Sequence, residues 1–199
     1  MIAVQSENRA AAEMLLDMEA NITIRDPNGW TALMFACTGD SVTPLIPRLV
    51  DRSILNVADS GGDTALNIAA GYPYPEAVRM LLEAGADMNL PNATGDTPLM
   101  TVCASAHDES ADNLHGYTKS AELLIEAGAT INHRNVTKHS ALAYAVRARM
   151  DRIATLLIEK GARPKSWLAL ATVTQKHGMP RTEAAAIAAH EAGRSENRV

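Results

Sequence analysis

"DSGGDTALNIAA", residues 59–70, decides the fold because the chain repeats it in phase. Moving back 33 residues reaches "DPNGWTALMFAC" from Asp26, and moving forward 33 reaches "NATGDTPLMTVC" from Asn92, both without a gap. A fourth copy, "NVTKHSALAYAV" from Asn135, follows 43 residues after the third. A second motif keeps the same register in "LLEAGADMN" (81–89), "LIEAGATIN" (124–132) and "LIEKGARP" (157–164), so one unit carries ten extra residues. Self-similarity at a period near 33 residues signals a stacked array, in which each unit is too small to bury its own apolar face.

The residue types within the motif have physical reasons. Gly29, Gly62 and Gly95 fall in a tight turn, where a positive φ is cheap for glycine and costly for a residue with a Cβ. Two positions later, Thr31, Thr64, Thr97 and Ser140 are suited to cap a helix, each hydroxyl accepting from an otherwise unpaired backbone N–H. Leu33, Leu66, Leu99 and Leu142 then point into the stack. Gly85, Gly128 and Gly161 stand where a second helix stops in the left-handed conformation.

These TALx/TPLx and LLxxGAxxN elements resemble the ankyrin repeat family over about residues 1–165. The resemblance implies an all-α ankyrin-repeat solenoid of stacked helix–turn–helix units joined by hairpin-like turns. The expected organisation is one domain over 1–194. It comprises a partial repeat (1–25), repeats at 26–58, 59–91, 92–134 with the insertion, and 135–165, then a helical cap (166–194) before a tail (195–199). The chain departs from the family pattern in three ways. The histidine that usually follows the TPL leucine is replaced by Met34, Asn67, Met100 and Ala143, so its hydrogen bonds must be replaced or lost. Glu19 and Arg52 stand at helix-stop glycine positions, and Lys138 stands at a turn glycine. By register the chain begins in mid-repeat, with one helix expected over residues 5–20 and its outer side poorly covered.

Composition excludes several function classes. A net charge of −5 over 199 residues gives no basic field for a nucleic-acid backbone. No apolar run approaches the roughly 20 residues needed to cross a bilayer, and "MIAVQSENRAAAEM" turns polar too early for a signal-peptide core. Nucleic acid and membrane are therefore not expected partners, and a cytoplasmic location is expected. Cys37 and Cys103 share one repeat position two units apart. Layers spaced at about 8–10 Å put them on the order of 20 Å from each other, too far for a disulfide. They read as small core residues.

The insertion falls in "SAHDESADNLHGY", residues 105–117, which holds His107, Asp108, Glu109, Asp112 and His115. Such side chains suit a metal or acid–base site, but the spacing matches no tight ligand pattern such as H-E-x-x-H, and a loop between helices fixes no ligand geometry. The preferred reading is a solvated loop that enlarges a binding surface. GxSxG and GxxxxGK[ST] are absent, so no enzyme activity and no cofactor are expected.

Ankyrin arrays bind proteins through hairpin tips and the concave surface of their first helices, and the resemblance brings that expectation here. The corresponding positions are Asn28, Trp30, Asp63, Tyr72, Tyr74, Asp96, His139 and Arg147, extended by His107, His115 and Tyr117 of the insertion. Trp30 is the foremost anchor, because an aromatic residue at a tip has little core to fill; the alternative is that it simply covers the irregular N-terminal unit. The expected partner is another protein. The alternatives are a rigid structural or regulatory segment of a larger repeat protein, or an enzyme or metal-binding protein using residues 105–117.

Overall fold

The structure, a computed structural model, describes residues 1–106 and 111–163. The expected cap (166–194) and tail (195–199), together with His107, Asp108 and Glu109, lie outside the described residues. The described part is helical, with no strand. Its helices are α1 (Ile2–Gln5), α2 (Arg9–Asp17), α3 (Ala32–Ala36), α4 (Ile46–Leu49), α5 (Ala65–Ala70), α6 (Pro75–Glu83), α7 (Pro98–Ser105), α8 (Ala111–Glu126), α9 (Ala141–Arg147) and α10 (Asp151–Glu159). A 3₁₀ turn at Thr43–Leu45 runs into α4.

The helices form two rows. In one, α1, α3, α5, α7 and α9 each pack on the next; in the other, α4, α6, α8 and α10 do the same. Leu33, Leu66 and Leu99 are fully buried between neighbouring units and Leu142 nearly so, each worth about 1.5–3 kcal/mol relative to exposure. Alanines at 36, 65, 69, 70, 77, 141 and 145 are also buried, which lets the rows approach closely in a chain with a single Phe.

Helix starts follow the sequence. Met34 N–H donates to Thr31 Oγ1 at 3.3 Å, Asn67 N–H to Thr64 Oγ1 at 3.3 Å and Ala143 N–H to Ser140 Oγ at 3.4 Å. Thr97 departs from the expectation: it caps nothing, and its buried hydroxyl has no partner. The asparagine at one register position of three units links each to the next, because Asn56, Asn89 and Asn132 accept through Oδ1 from the backbone N–H of Asp87, Thr130 and Arg163. Asn67 partly replaces the family histidine by donating from Nδ2 to Leu90 O at 3.0 Å.

Three sequence expectations need correction. The helix expected over 5–20 is shorter: α2 starts after Asn8, whose Oδ1 accepts from Ala11 N–H, and ends before Glu19, which takes the left-handed φ of 56° itself. Its outer side is open as expected, with Met14, Leu15 and Met18 exposed and Leu16 packed on the core. The second helix of the 26–58 segment is reduced to α4, because Pro44 and Pro47 supply no N–H for a regular helix. Finally, the insertion is not simply a loop. Its described C-terminal part is helical and lengthens α8 to 16 residues, against 9 in α6 and α10.

Candidate functional site

Four tips precede the first-row helices, and the same hydrogen bonds build each one. Asp26, Asp59, Asn92 and Asn135 donate their N–H groups to the carbonyls of Trp30, Asp63, Asp96 and His139. Their Oδ1 atoms accept from the N–H two and four residues on, for example Asn28 and Trp30 from Asp26 at 2.9 and 2.8 Å. An Asp or Asn here therefore folds its own tip. Adjacent tips are then tied together: Ser60 N–H donates to Asn28 O, Ala93 N–H to Gly61 O and Val136 N–H to Thr94 O, at 2.9–3.1 Å. The result is one continuous ribbon along the stack.

The choice of Asn over Asp matters on this ribbon. Asn92 Nδ2 donates to Asp63 Oδ1 at 2.9 Å, and Asn135 Nδ2 donates to Asp96 Oδ1 at 2.8 Å. An aspartate cannot make that bond, so the second and third tips, and the third and fourth, are laced by a carboxamide–carboxylate bond that the first and second lack. Burial, helped by the charges of Asp59 and Asp96, pushes the Asp63 carboxyl above the usual aspartate value, against the bond from Asn92, which pulls it down.

Residues 30, 63, 96 and 139 occupy one register position and read Trp, Asp, Asp, His along the ribbon. Trp30, Asp63 and Asp96 are half-buried and His139 is exposed; contrary to the expectation that it has little core to fill, Trp30 packs against the core. At both ends an aromatic residue five positions on completes a ring pair: Trp30 with Phe35 at 4.9 Å between centroids, and His139 with Tyr144 at 5.5 Å. The row is thus aromatic, acidic, acidic, aromatic. Asn28 and Arg147 are exposed beside its two ends. Phe35 and Tyr144 were not singled out by the sequence reading, although their shared offset from Trp30 and His139 was available in the register.

Tyr72 and Tyr74 lie in the loop between α5 and α6 with their rings parallel within 8° and 6.4 Å apart, Tyr72 exposed. His115 is exposed on α8. Tyr117, expected at the binding surface, is instead 4% exposed, and its phenol donates to Gly71 O at 3.1 Å. The lengthened α8 lies against the α5–α6 loop and turns Tyr117 into a packing residue. Gly116, which the sequence reading passed over, permits this approach, since a Cβ there would sit 2.1 Å from Pro73 O.

A shallow groove of about 700 Å³ lies on the second helix row, lined by Lys119, Glu122, Glu126, Asp151, Arg152 and Glu159. Glu122 bridges it, accepting from Arg152 Nε at 2.7 Å with Lys119 Nζ at 3.6 Å. Among the described residues no group of three or more His, Cys, Asp or Glu could hold a metal ion. Both cysteines are buried, and burial raises both thiols, Cys103 to about 12, far from a reactive thiolate. No helix among the described residues is long and apolar enough to cross a membrane.

A family model described as "Ankyrin repeats (3 copies)" matches residues 1–92 and again 73–166. The chain belongs to the ankyrin repeat family. Neurogenic locus notch homolog protein 1 of Xenopus tropicalis is 33% identical over 100 residues, 43% of this chain and 4% of that protein. The human protein of the same name is 34% identical over 93 residues, 40% of this chain and 4% of its own length. Human SH3 and multiple ankyrin repeat domains protein 2 is 28% identical over 108 residues, 54% of this chain and 6% of that protein. The match therefore spans a small fraction of each relative. Ankyrin repeats are in general protein–protein interaction modules.

Proposed function

We propose that this chain is a non-enzymatic scaffold of the cytoplasm that binds a partner protein through its tip ribbon and the adjoining first-row helix ends. The surface comprises Asn28, Trp30, Asp63, Asp96, His139 and Arg147, with Tyr72, Tyr74 and His115 extending it along the stack. The observation that carries the reading is the ribbon itself: its backbone donors and acceptors are tied within and between tips, so the backbone from which residues 30, 63, 96 and 139 project is fixed. Such a surface loses little conformational freedom on binding, and that freedom is a main cost of association. Trp30 supplies the anchor, since buried aromatic residues dominate interface energetics, with losses of about 2 kcal/mol or more on truncation.

The test compares proteins captured from the source cells by the wild-type chain, by Trp30→Ala, and by a control carrying Glu126→Ala and Asp151→Ala in the groove between α8 and α10. A partner lost with Trp30→Ala and retained by the control supports the reading. A partner lost with the control and retained by Trp30→Ala places binding on the second helix row and overturns it.

A further inference from the structure

We propose that the ribbon receives an extended partner segment with two basic side chains three residues apart, seated over Asp63 and Asp96 and flanked by apolar side chains that meet the ring pairs at either end. The inference rests on the binding surface described above and specifies the chemistry it takes.

Charge complementarity sets the centre of the segment. Among the described residues no cation comes within ion-pair distance of Asp26, Asp59, Asp63 or Asp96. The nearby Arg25 guanidinium donates to the carbonyls of Gly29 and Ala58, not to a carboxylate. Asp63 and Asp96 receive neutral donors instead, from Asn92 for the first and from Asn135, Thr94 and the Tyr144 phenol for the second. Asp59 and Asp96 repel the Asp63 carboxylate, and Asp63 is half-buried, so an arriving cation gains attraction from several carboxylates at once.

The ring pairs set the ends. Trp30 with Phe35 and His139 with Tyr144 lie on the same register row as the two aspartates, one pair on each side of them. They offer apolar contact to an aliphatic or aromatic side chain.

Spacing follows from the stack. Neighbouring units in packed helical layers are about 8–10 Å apart, and an extended chain rises about 3.3 Å per residue. One tip therefore corresponds to about three residues of the partner, and the four tips to an apolar residue, a base, a base and an apolar residue at every third position.

A serine-rich fluorescein-labelled peptide with leucine at positions one and ten and arginine at four and seven is the probe, read by anisotropy on the full chain. It should bind at least tenfold tighter than a peptide with the arginines replaced by glutamate, and several-fold tighter than one with the arginines adjacent. Asp63→Asn and Asp96→Asn keep an acceptor for Asn92 and Asn135; each should weaken binding about threefold and the pair about tenfold, with a melting temperature no lower than that of wild type showing that the fold is intact. Equal affinity at all arginine spacings, no loss in the double variant, or no saturable binding overturns the proposal. If the peptide fails while the captured partner still depends on Trp30, the basic-segment chemistry falls and the binding surface stands. If the peptide binds as described while the captured partner ignores Trp30, the chemistry stands and that surface is not where the partner docks.

Discussion

Tyr117 and Gly71 are joined by a hydrogen bond of 3.1 Å from the phenol of α8 to a carbonyl of the loop before α6. Forty-six residues apart, they fasten the lengthened helix to the unit before it. Removing the hydroxyl leaves the Gly71 carbonyl without this donor, so Tyr117→Phe should lose about 1 kcal/mol. Tyr117→Ala, which also empties a buried ring site, should lose about 3–5 kcal/mol. Urea unfolding followed by circular dichroism measures both, and a Tyr117→Ala variant as stable as wild type would return this residue to the free surface.

Gly116→Ala tests the same contact from the backbone side. Within a helix the change should gain up to about 1 kcal/mol from propensity. Here the new Cβ would lie 2.1 Å from Pro73 O, and backbone cannot swing aside as a side-chain tip can. Forcing the helix and loop apart costs about 1–3 kcal/mol, so the clash wins and a lower melting temperature is expected.

Lys138 holds φ at 65°, where the three preceding tips have glycine at 81–86°. A left-handed residue with a Cβ costs about 1–2 kcal/mol, while glycine gives back about 0.4–1 kcal/mol through unfolded-chain entropy. Lys138→Gly should therefore stabilise the protein by about 0.5–1 kcal/mol, seen as a higher denaturant midpoint with an unchanged slope.

The repeat array was legible in the sequence because most units state their own turn, cap, core leucine and helix stop, and three copies at a 33-residue step with a fourth beyond the insertion exclude chance. Two of the three exceptions still obey the pattern: Glu19 and Lys138 adopt the glycine conformation that the register demands, whereas Arg52 does not. The insertion was misread for an equally physical reason. Its cluster of polar and charged residues carries a loop's composition, whereas its fate was set by Tyr117 reaching Gly71 and by a glycine that lets α8 close on Pro73. Such contacts between units leave no local signature. The proposed binding row lies between these cases: Trp30, Asp63, Asp96 and His139 could be picked out as tip positions, but the ring partners Phe35 and Tyr144 and the unneutralised carboxylates emerge when tips are set side by side.

Asp63 gives the row a pH signature. Its carboxyl is raised above the ordinary aspartate value, chiefly by burial and further by Asp59 and Asp96, although Asn92 opposes the shift. The folded state therefore holds this proton more tightly than the unfolded state does, and ionisation of Asp63 opposes folding. The stability linked to this proton is fully present below the unfolded aspartate value of about 3.9. It is lost as pH rises through the folded value above it. At neutral pH Asp63 is thus a net electrostatic cost, tolerated on a surface proposed to meet a cation. Asp63→Asn keeps the acceptor for Asn92 Nδ2 and removes the charge, so its melting temperature at pH 7 should match or exceed that of wild type. The difference between the two proteins should shrink as pH falls towards 4. Thermal melts of both between pH 4 and 7 measure this, and a variant that is less stable at pH 7 while equal at pH 4 would show that the Asp63 charge supports the fold.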